Sequence, residues 1–154
     1  MHAAMEGRSA TVQIMIHEGA DVNMRFPDNW TPLMLAACNG HIDTVKTLIS
    51  HDAQLEAKED HDWTALMVAV WNGHLEIAKA LVEAGAHINV WDKNGKTILM
   101  WAAHNGSYKI VHLLLNNRAD INAKNANGMT ALDYAVRENH PEIAQLLRGF
   151  IKTH

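Results

Sequence analysis

Eleven histidines and five tryptophans are the residues of this chain whose chemistry stands out. Histidine exchanges protons near neutral pH and ligates metals, and tryptophan carries the largest apolar side chain. The run Asp60-His61-Asp62 places two acids beside an imidazole, but no evident nucleophile accompanies it. The sequence also contains no common metal-binding or phosphate-cradling motif. We therefore expect a protein without catalytic residues, metal or cofactor, and the role of these side chains depends on the elements that carry them.

The charge balance and the cysteine content restrict the class of function. Seventeen acidic residues face 13 basic ones, a formal net charge of −4, which argues against double-stranded nucleic acid as a partner because such binders usually present a basic surface. Cys38, the single cysteine, excludes an internal disulfide and is typical of a reducing compartment. The apolar runs are shorter than the ~20 residues of a membrane helix, and residues 1–11 lack the apolar stretch of a signal peptide. We expect a monomeric intracellular protein, in the cytoplasm or nucleus, that does not bind membranes.

A 33-residue period organises the chain. Similar residues recur at this spacing in three ladders: the threonine that opens strings such as TPLMLAA, a leucine, and the last residue of strings such as GADVN. Independent ladders that share one period predict a repeat protein. The members are Thr31, Thr64, Thr97 and Thr130; Leu48, Leu81, Leu114 and Leu147; and Asn23, Glu56, Asn89 and Asn122.

The chemistry within one period predicts two helices and a turn. The threonine suits a helix N-cap, and Pro32 follows it at the first helical position, where no backbone N–H is needed. About eight helical residues then run to a residue that can adopt a left-handed stop. A second helix and an extended segment follow, ending in a tight turn. The stops are Gly40, Gly73, Gly106 and Asn139; the second helices begin at Ile42, Leu75, Tyr108 and Pro141 and end near Gly19, Asp52, Gly85 and Arg118; the turns lie at Asn29, Asp62, Gly95 and Gly128.

This unit closely resembles the ankyrin repeat. The strings Thr31-Pro32-Leu33, Gly40-His41, Gly73-His74 and Gly19-Ala20-Asp21-Val22-Asn23 match its pattern. The resemblance covers essentially the whole chain and implies an all-α ankyrin repeat solenoid of helix-turn-helix units with short β-hairpin-like loops. We expect a single domain whose parts are a partial repeat at 1–25, full repeats at 26–58, 59–91 and 92–124, and a C-terminal capping repeat at 125–154.

The chain departs from the ankyrin pattern at two positions of the repeat. The histidine of the pattern's T-P-L-H string is replaced by methionine in three repeats and by an acid in the last, and we expect the methionines to fill the site by packing. Two glycines at second-helix ends are also replaced, which predicts strain or a different shape there. The replacements are Met34, Met67, Met100 and Asp133 for histidine, and Asp52 and Arg118 for glycine.

Core columns follow from the same alignment. The leucines and small alanines of each repeat are predicted to form the core, and most stability should come from interfaces between neighbouring repeats. A charge ends one apolar column in the last repeat and indicates a solvent-facing cap. The first repeat lacks its hairpin and helix start, which allows three interpretations: the chain is cut from a longer array, the first helices fray, or a partner covers that end. The columns are Leu33, Leu66, Leu99 and Leu132; Ala36, Ala69, Ala102 and Ala135; and Ile16, Ile49, Val82, Leu115 and Arg148.

All five tryptophans fall on positions that vary among ankyrin repeats. The resemblance implies that hairpin tips and the exposed face of each first helix form a concave groove, which we expect to bind a partner peptide or protein surface. Tryptophan is enriched at interface hot spots, and exposed apolar patches usually mark a partner site. The predicted binding residues are Trp30, Trp63, Trp71, Trp91 and Trp101, with Asp28, Asn39, Asp60, His61, Asn72, Lys93, Lys96, His104 and Asn105 lining the same face.

Two finer resemblances keep a small-ligand sensor open as an alternative function. The ankyrin arrays of certain histone methyltransferases hold methyl-lysine in an aromatic cage, and Trp63 and Trp101 match two cage positions, with Val68 at a third and Trp71 at the acid position. The ribonuclease activated by linked oligoadenylate stacks a base on a tryptophan before the same threonine. Trp30 and Trp63 match that position, with Lys58 and Lys96 as candidate phosphate contacts. An engineered or structural array without an evolved partner is the third reading.

The remaining histidines and the hairpin asparagines have mainly structural interpretations. His41, His74 and His140 recur at a framework position of the ankyrin repeat, where a structural role is expected. Ankyrin hairpin asparagines are substrates of an intracellular asparaginyl hydroxylase, so a modification site is one reading of such positions. The other is a hydrogen bond to the hairpin backbone. The matching asparagines are Asn23, Asn89 and Asn122.

Overall fold

A computed structural model describes residues 1–153, which form ten α-helices and one short 3₁₀ turn at Pro27–Asn29. His154, the last residue of the predicted capping repeat, lies outside the described residues. The chain divides into two compact units, Met1–Ala86 and His87–His154. The helices are α1 (His2–Met5), α2 (Ser9–His17), α3 (Pro32–Cys38), α4 (Ile42–Ser50), α5 (Ala65–Trp71), α6 (Leu75–Glu83), α7 (Ile98–His104), α8 (Tyr108–Asn116), α9 (Ala131–Arg137) and α10 (Pro141–Thr153).

The first unit, Met1–Ala86, is built from three helix pairs. The short first helices α1, α3 and α5 contact one another in sequence, and so do the longer second helices α2, α4 and α6. The predicted leucine and alanine columns lie in its core, where Leu48, Leu66 and Leu81 are fully buried. This arrangement is the helix-turn-helix stacking expected from the repeat period. The first helices α3 and α5 have seven residues each, one fewer than the predicted length of about eight.

The second unit, His87–His154, contains two helix pairs. Helix α7 packs on α8 and α9, and α10 packs on both α8 and α9. Leu99, Leu114 and Leu147 are buried as predicted, whereas Leu132 is only half-buried. Arg148 is exposed, as its role at the end of an apolar column requires. In the described residues the extended segments pair only as an isolated antiparallel bridge between Trp91 and Thr97.

The predicted threonine caps are present in all four complete repeats. Thr31 Oγ1 accepts a hydrogen bond from the backbone N–H of Met34 at 3.3 Å, and the equivalent bonds recur at the next three repeats. The methionines that replace histidine are buried, which confirms that they pack. In the last repeat Asp133 Oδ2 instead accepts from Thr130 N–H at 2.7 Å and from its hydroxyl at 2.8 Å. These hydrogen bonds from Thr130 lower the pKa of the Asp133 carboxyl.

Left-handed residues end the helices and form the turns where the sequence predicts them. Every predicted stop and turn has a positive φ, and the two non-glycine substitutions at second-helix ends keep it: φ is 60° at Asp52 and 64° at Arg118. A side chain in this region is strained by about 1–2 kcal/mol. Gly106 has a second reason to be glycine, because a Cβ there would lie 2.6 Å from the His140 imidazole.

The framework histidines join neighbouring repeats within each unit. His41 Nε2 lies 2.7 Å from the Met5 carbonyl oxygen, and His74 Nε2 lies 3.1 Å from that of Cys38. In the second unit His140 Nε2 makes the same contact to His104 O at 3.0 Å. Each ring thereby satisfies a carbonyl at the end of a first helix, where helices leave carbonyls without intrahelical partners. Among the described residues no helix has the length and apolar character required to cross a bilayer.

Candidate functional site

A buried hydrogen-bond acceptor closes each of three hairpins. Glu59, Asp92 and Asn125 occupy the same position of successive repeats and are 7%, 3% and 7% exposed. In each hairpin one side-chain oxygen accepts the backbone N–H groups two and four residues later, at 2.7–3.0 Å. Our sequence analysis missed this column, although its period and its Glu-Asp-Asn composition were visible. These acceptors stabilise the hairpins that carry several of the predicted binding residues.

In the first unit the structure brings Trp63 and Trp71 together. Their ring centroids are 5.9 Å apart with an interplanar angle of 71°, an edge-to-face contact. Trp63 stands at the base of the hairpin closed by Glu59, and Trp71 ends helix α5 with 42% of its surface exposed. We call this arrangement the Trp63–Trp71 pair. In this contact Trp63 is half-buried and Trp71 is partly exposed to solvent.

The hairpins beside the Trp63–Trp71 pair are fastened to each other. Asp60 N–H donates to the Asp28 carbonyl at 3.0 Å, and Asn29 Nδ2 donates to Asp60 Oδ1 at 2.7 Å. Arg25 Nη1 donates to the carbonyls of Asn29 and Lys58 at 2.7 and 2.9 Å. Two adjacent repeats therefore present a single edge, on which Asp28 and Asp60 are exposed.

In the second unit Trp101 is at the centre of a cluster and is only 9% exposed. Its indole Nε1 donates to Asp92 Oδ2 at 3.2 Å, and the Lys96 ammonium lies 3.8 Å from its ring centroid. The ring of His104 meets Trp101 and Tyr134 edge-to-face at 5.7 and 5.9 Å. We call these five residues, together with Arg137 and Glu138, the Trp101 cluster.

Cations of the chain itself cover both large rings of the Trp101 cluster. Lys96 Nζ also lies 5.0 Å from the Tyr134 centroid, and Arg137 Cζ lies 4.8 Å from it. Burial lowers the pKa of Lys96, and the charge of Asp92 opposes this shift. Glu138 pairs with Arg137 at 2.8 Å and with His104 at 3.2 Å, and the hydrogen bonds from Arg137 hold the pKa of Glu138 below its ordinary value. Trp101 is thus a covered residue, whereas Trp71 is 42% exposed.

The other predicted binding residues belong neither to the Trp63–Trp71 pair nor to the Trp101 cluster. Trp30 is half-buried at the base of the first hairpin, while Trp91 is 60% exposed in the extended segment before the turn. Asn39 and Asn72 are exposed, and each donates through Nδ2 to the carbonyl four residues earlier, at 2.8 and 2.9 Å. These two amides cap helix ends. Lys93 is exposed and Asn105 half-buried.

Histidines near acids make local contacts. His61 has a side chain 77% exposed, and its Nδ1 lies 2.9 Å from Glu59 Oε2. Among the described residues no group of three or more histidine, cysteine, aspartate or glutamate side chains is arranged to hold a metal ion.

Two of the three hairpin asparagines connect adjacent repeats. Asn23 Oδ1 accepts from Gln54 N–H at 2.7 Å, and Asn89 Oδ1 accepts from Asp120 N–H at 2.8 Å. The Asn89 amide also donates to Arg118 O at 3.1 Å. Asn122 is exposed, and its backbone N–H donates to Asp120 Oδ1. The side chains of Asn23 and Asn89 therefore form hydrogen bonds with the hairpin backbone, one of the two roles that the sequence analysis considered. Hydroxylation at the three positions stays a prediction.

Comparison with known proteins identifies the repeat. A family model described as ankyrin repeats (3 copies) matches residues 1–92 and 85–152. A search of the curated proteins found no match.

Proposed function

Since this chain belongs to the ankyrin-repeat family, whose members are generally protein–protein interaction modules, we propose that it binds a partner protein or peptide through the Trp63–Trp71 pair. Trp30 and the polar residues predicted from the sequence in the first unit, Asp28, Asn39, Asp60, His61 and Asn72, would extend this surface. Partner binding by the predicted residues of the second unit stays a prediction. The family is typically non-catalytic, and we propose that binding alone is the function of the chain.

The exposure of Trp71 is the observation that carries this proposal. A tryptophan that is 42% exposed leaves a large apolar surface in water, although its burial would be favourable by about 25 cal/mol per Å². Trp63 holds that ring from one side in an edge-to-face contact. A ring that is already fixed loses little conformational freedom when a partner covers it, which favours affinity.

A pair of matched variants tests the proposal. Trp71→Ala removes an aromatic side chain that is 42% exposed, and Tyr108→Ala removes one that is 43% exposed at the start of α8, away from the predicted groove. Proteins captured from lysate by the wild type would be quantified by mass spectrometry with each variant as bait. We expect a partner lost with Trp71→Ala and retained with Tyr108→Ala, while circular dichroism shows both variants folded.

Two other outcomes would contradict the proposal. Equal loss of a partner with both variants would indicate non-specific capture through exposed aromatic rings. Retention of every partner by Trp71→Ala would place the binding surface elsewhere on the chain. A small-ligand sensor would instead show quenching of tryptophan fluorescence by micromolar nucleotide, without dependence on a protein partner.

A further inference from the structure

The two units differ in the charge of their hairpins. In the first unit the hairpin segments 25–30 and 58–63 contain four carboxylates, on Asp28, Glu59, Asp60 and Asp62, against the cations Arg25 and Lys58. In the second unit segments 91–96 and 124–129 contain one carboxylate, on the buried Asp92, against three lysines. The formal net charge of these hairpin segments is therefore −2 in the first unit (two cations minus four carboxylates) and +2 in the second (three lysines minus one carboxylate).

The two cations of these first-unit hairpins, Arg25 and Lys58, are already engaged by hairpin groups. Arg25 donates to two backbone carbonyls, and Lys58 Nζ lies 3.8 Å from Asp62 Oδ1. Asp28 and Asp60 remain exposed and negative on the edge next to Trp63. A 3.1 Å backbone hydrogen bond from Glu59 N–H to Trp63 O closes the hairpin, so Asp60 and Trp63 belong to the same closed hairpin.

The second unit shows which chemistry covers such rings in this protein. There the chain places Lys96 over Trp101 and Arg137 over Tyr134. The positions correspond: Lys96 follows Trp63 by one repeat period, and His104 follows Trp71 by the same interval. Where the first unit has a ring, the second has the cation that covers a ring. Attraction of a cation to the face of an aromatic ring contributes about 0.5–1 kcal/mol at exposed sites and more when water is excluded.

From these observations we infer that the Trp63–Trp71 pair, with its acidic hairpin edge, takes a basic partner: an extended peptide segment that stacks an arginine or lysine side chain on Trp71 while Asp28 and Asp60 attract neighbouring cations. This inference rests on the proposed function and gives the chemistry of its partner. The formal charge of −4 on the chain favours the same partner, since it raises the rate of encounter with a basic segment.

The test uses three synthetic peptides of equal length with the same Gly-Ser spacers, carrying four arginines, four lysines or four glutamates. Each is titrated into the full chain with ¹⁵N-labelled tryptophan, and the indole signals, assigned by single Trp→Phe variants, report on each ring separately. We expect the arginine and lysine peptides to shift the Trp71 and Trp63 signals and to leave Trp101 unchanged. The glutamate peptide should shift neither. Added salt should weaken the binding.

Variants make the inference quantitative. Trp71→Ala should lower the affinity for the arginine peptide about fivefold or more. Asp60→Asn, which keeps the shape of the side chain, should lower that affinity about two- to threefold. Tyr108→Ala should leave the affinity unchanged. The inference is overturned if the glutamate peptide binds as well as the arginine peptide, if Trp101 shifts as much as Trp71, or if Asp60→Asn has no effect. Capture of a partner that depends on Trp71 but is indifferent to basic peptides would overturn the cationic partner and leave the binding surface standing.

Discussion

The Trp63–Trp71 pair and the Trp101 cluster use equivalent positions of neighbouring repeats for opposite purposes. In the first unit the hairpin-base and helix-end positions both carry tryptophan, and Trp71 is 42% exposed. In the second unit those positions carry Lys96 and His104, and the tryptophan moves to the middle of the first helix, where it is 9% exposed. Trp71 is therefore partly exposed to solvent, whereas Trp101 is buried beneath Lys96.

The difference shows that tryptophan content alone does not define a binding surface in a repeat protein. A ring becomes part of the core when the chain supplies a cation above it and a buried carboxylate beside it, as Lys96 and Asp92 do for Trp101. In the first unit the buried carboxylate is kept as Glu59, whereas Trp63 occupies the position of Lys96 and Trp71 is 42% exposed. The contrast predicts that the two regions respond differently to the same substitution.

Truncation of the two tryptophans should produce the largest contrast. Trp101→Ala removes a buried ring and leaves Asp92 without its indole donor, so the free energy of unfolding should fall by about 3–5 kcal/mol. Trp71→Ala removes a ring that is already 42% exposed and should lower the free energy of unfolding less, by about 1 kcal/mol. Urea unfolding followed by circular dichroism measures both. Equal losses would mean that the two rings have the same structural role.

Removal of the hairpin acceptors should give a smaller contrast. Asp92 accepts two backbone N–H groups and the buried Trp101 indole, whereas Glu59 accepts two backbone N–H groups and the exposed His61 ring. Because a buried donor left without an acceptor costs about 1–3 kcal/mol, Asp92→Ala should destabilise the chain by about 1 kcal/mol more than Glu59→Ala. Asp92→Asn, which keeps an acceptor oxygen, serves as the matched control. A larger loss with Glu59→Ala would contradict the proposed role of the indole bond.

The sequence alone was sufficient for the fold because each element depends on local chemistry. Thr31 and its equivalents cap helices through a hydroxyl, and Asn29 and Asp62 adopt a positive φ that their short polar side chains tolerate. The periodicity then assigned the leucine columns to the core. These features involve few residues each, and the repeated unit shows them several times.

The site could be predicted only in part. The sequence predicts that all five tryptophans occupy positions that vary among ankyrin repeats, and this stays a prediction; it does not distinguish Trp71 from Trp101. That distinction depends on where Lys96 and Tyr134 place their side chains across adjacent repeats, and pairwise contacts of this kind leave no periodic signal. The acceptor column through Glu59 and Asp92 did leave such a signal, which became interpretable once the turn geometry was known.

The cover on Trp101 can be removed without changing the ring. Lys96→Ala deletes both the ammonium and the aliphatic stem, so stability should fall by about 1–2 kcal/mol, since long charged side chains stabilise partly through packing of the stem. Acrylamide should then quench Trp101 fluorescence more strongly. Lys96→Met keeps the stem and removes a charge that burial disfavours, so stability should stay within about 1 kcal/mol of the wild type.

The pH dependence of stability provides an internal check on Lys96. Its pKa is lowered in the folded state, so between the folded and unfolded pKa values the unfolded chain binds more protons at this group, and stability should rise with pH. This contribution should be absent from Lys96→Met. An identical alkaline profile in the two proteins would show that burial of the Lys96 ammonium does not affect folding.

The smallest expected effect is a loss of stability at acidic pH in the last repeat that the repeats of the first unit do not share. Hydrogen bonds from Thr130 lower the pKa of Asp133 in the folded state, so its stabilising contribution is present above the unfolded pKa and is lost as the pH falls through the folded one. Because the carboxyl is largely exposed, the loss should be only about 0.5 kcal/mol, less than a typical buried cap. Met34 and Met67, which occupy the equivalent positions in the first unit, do not titrate. After correction for intrinsic rates, amide hydrogen exchange in α9 should therefore accelerate relative to α3 and α5 as the pH falls from 6 to 3. Asp133→Asn should abolish that difference, because it removes the titrating group and keeps an oxygen that can accept a hydrogen bond from Thr130.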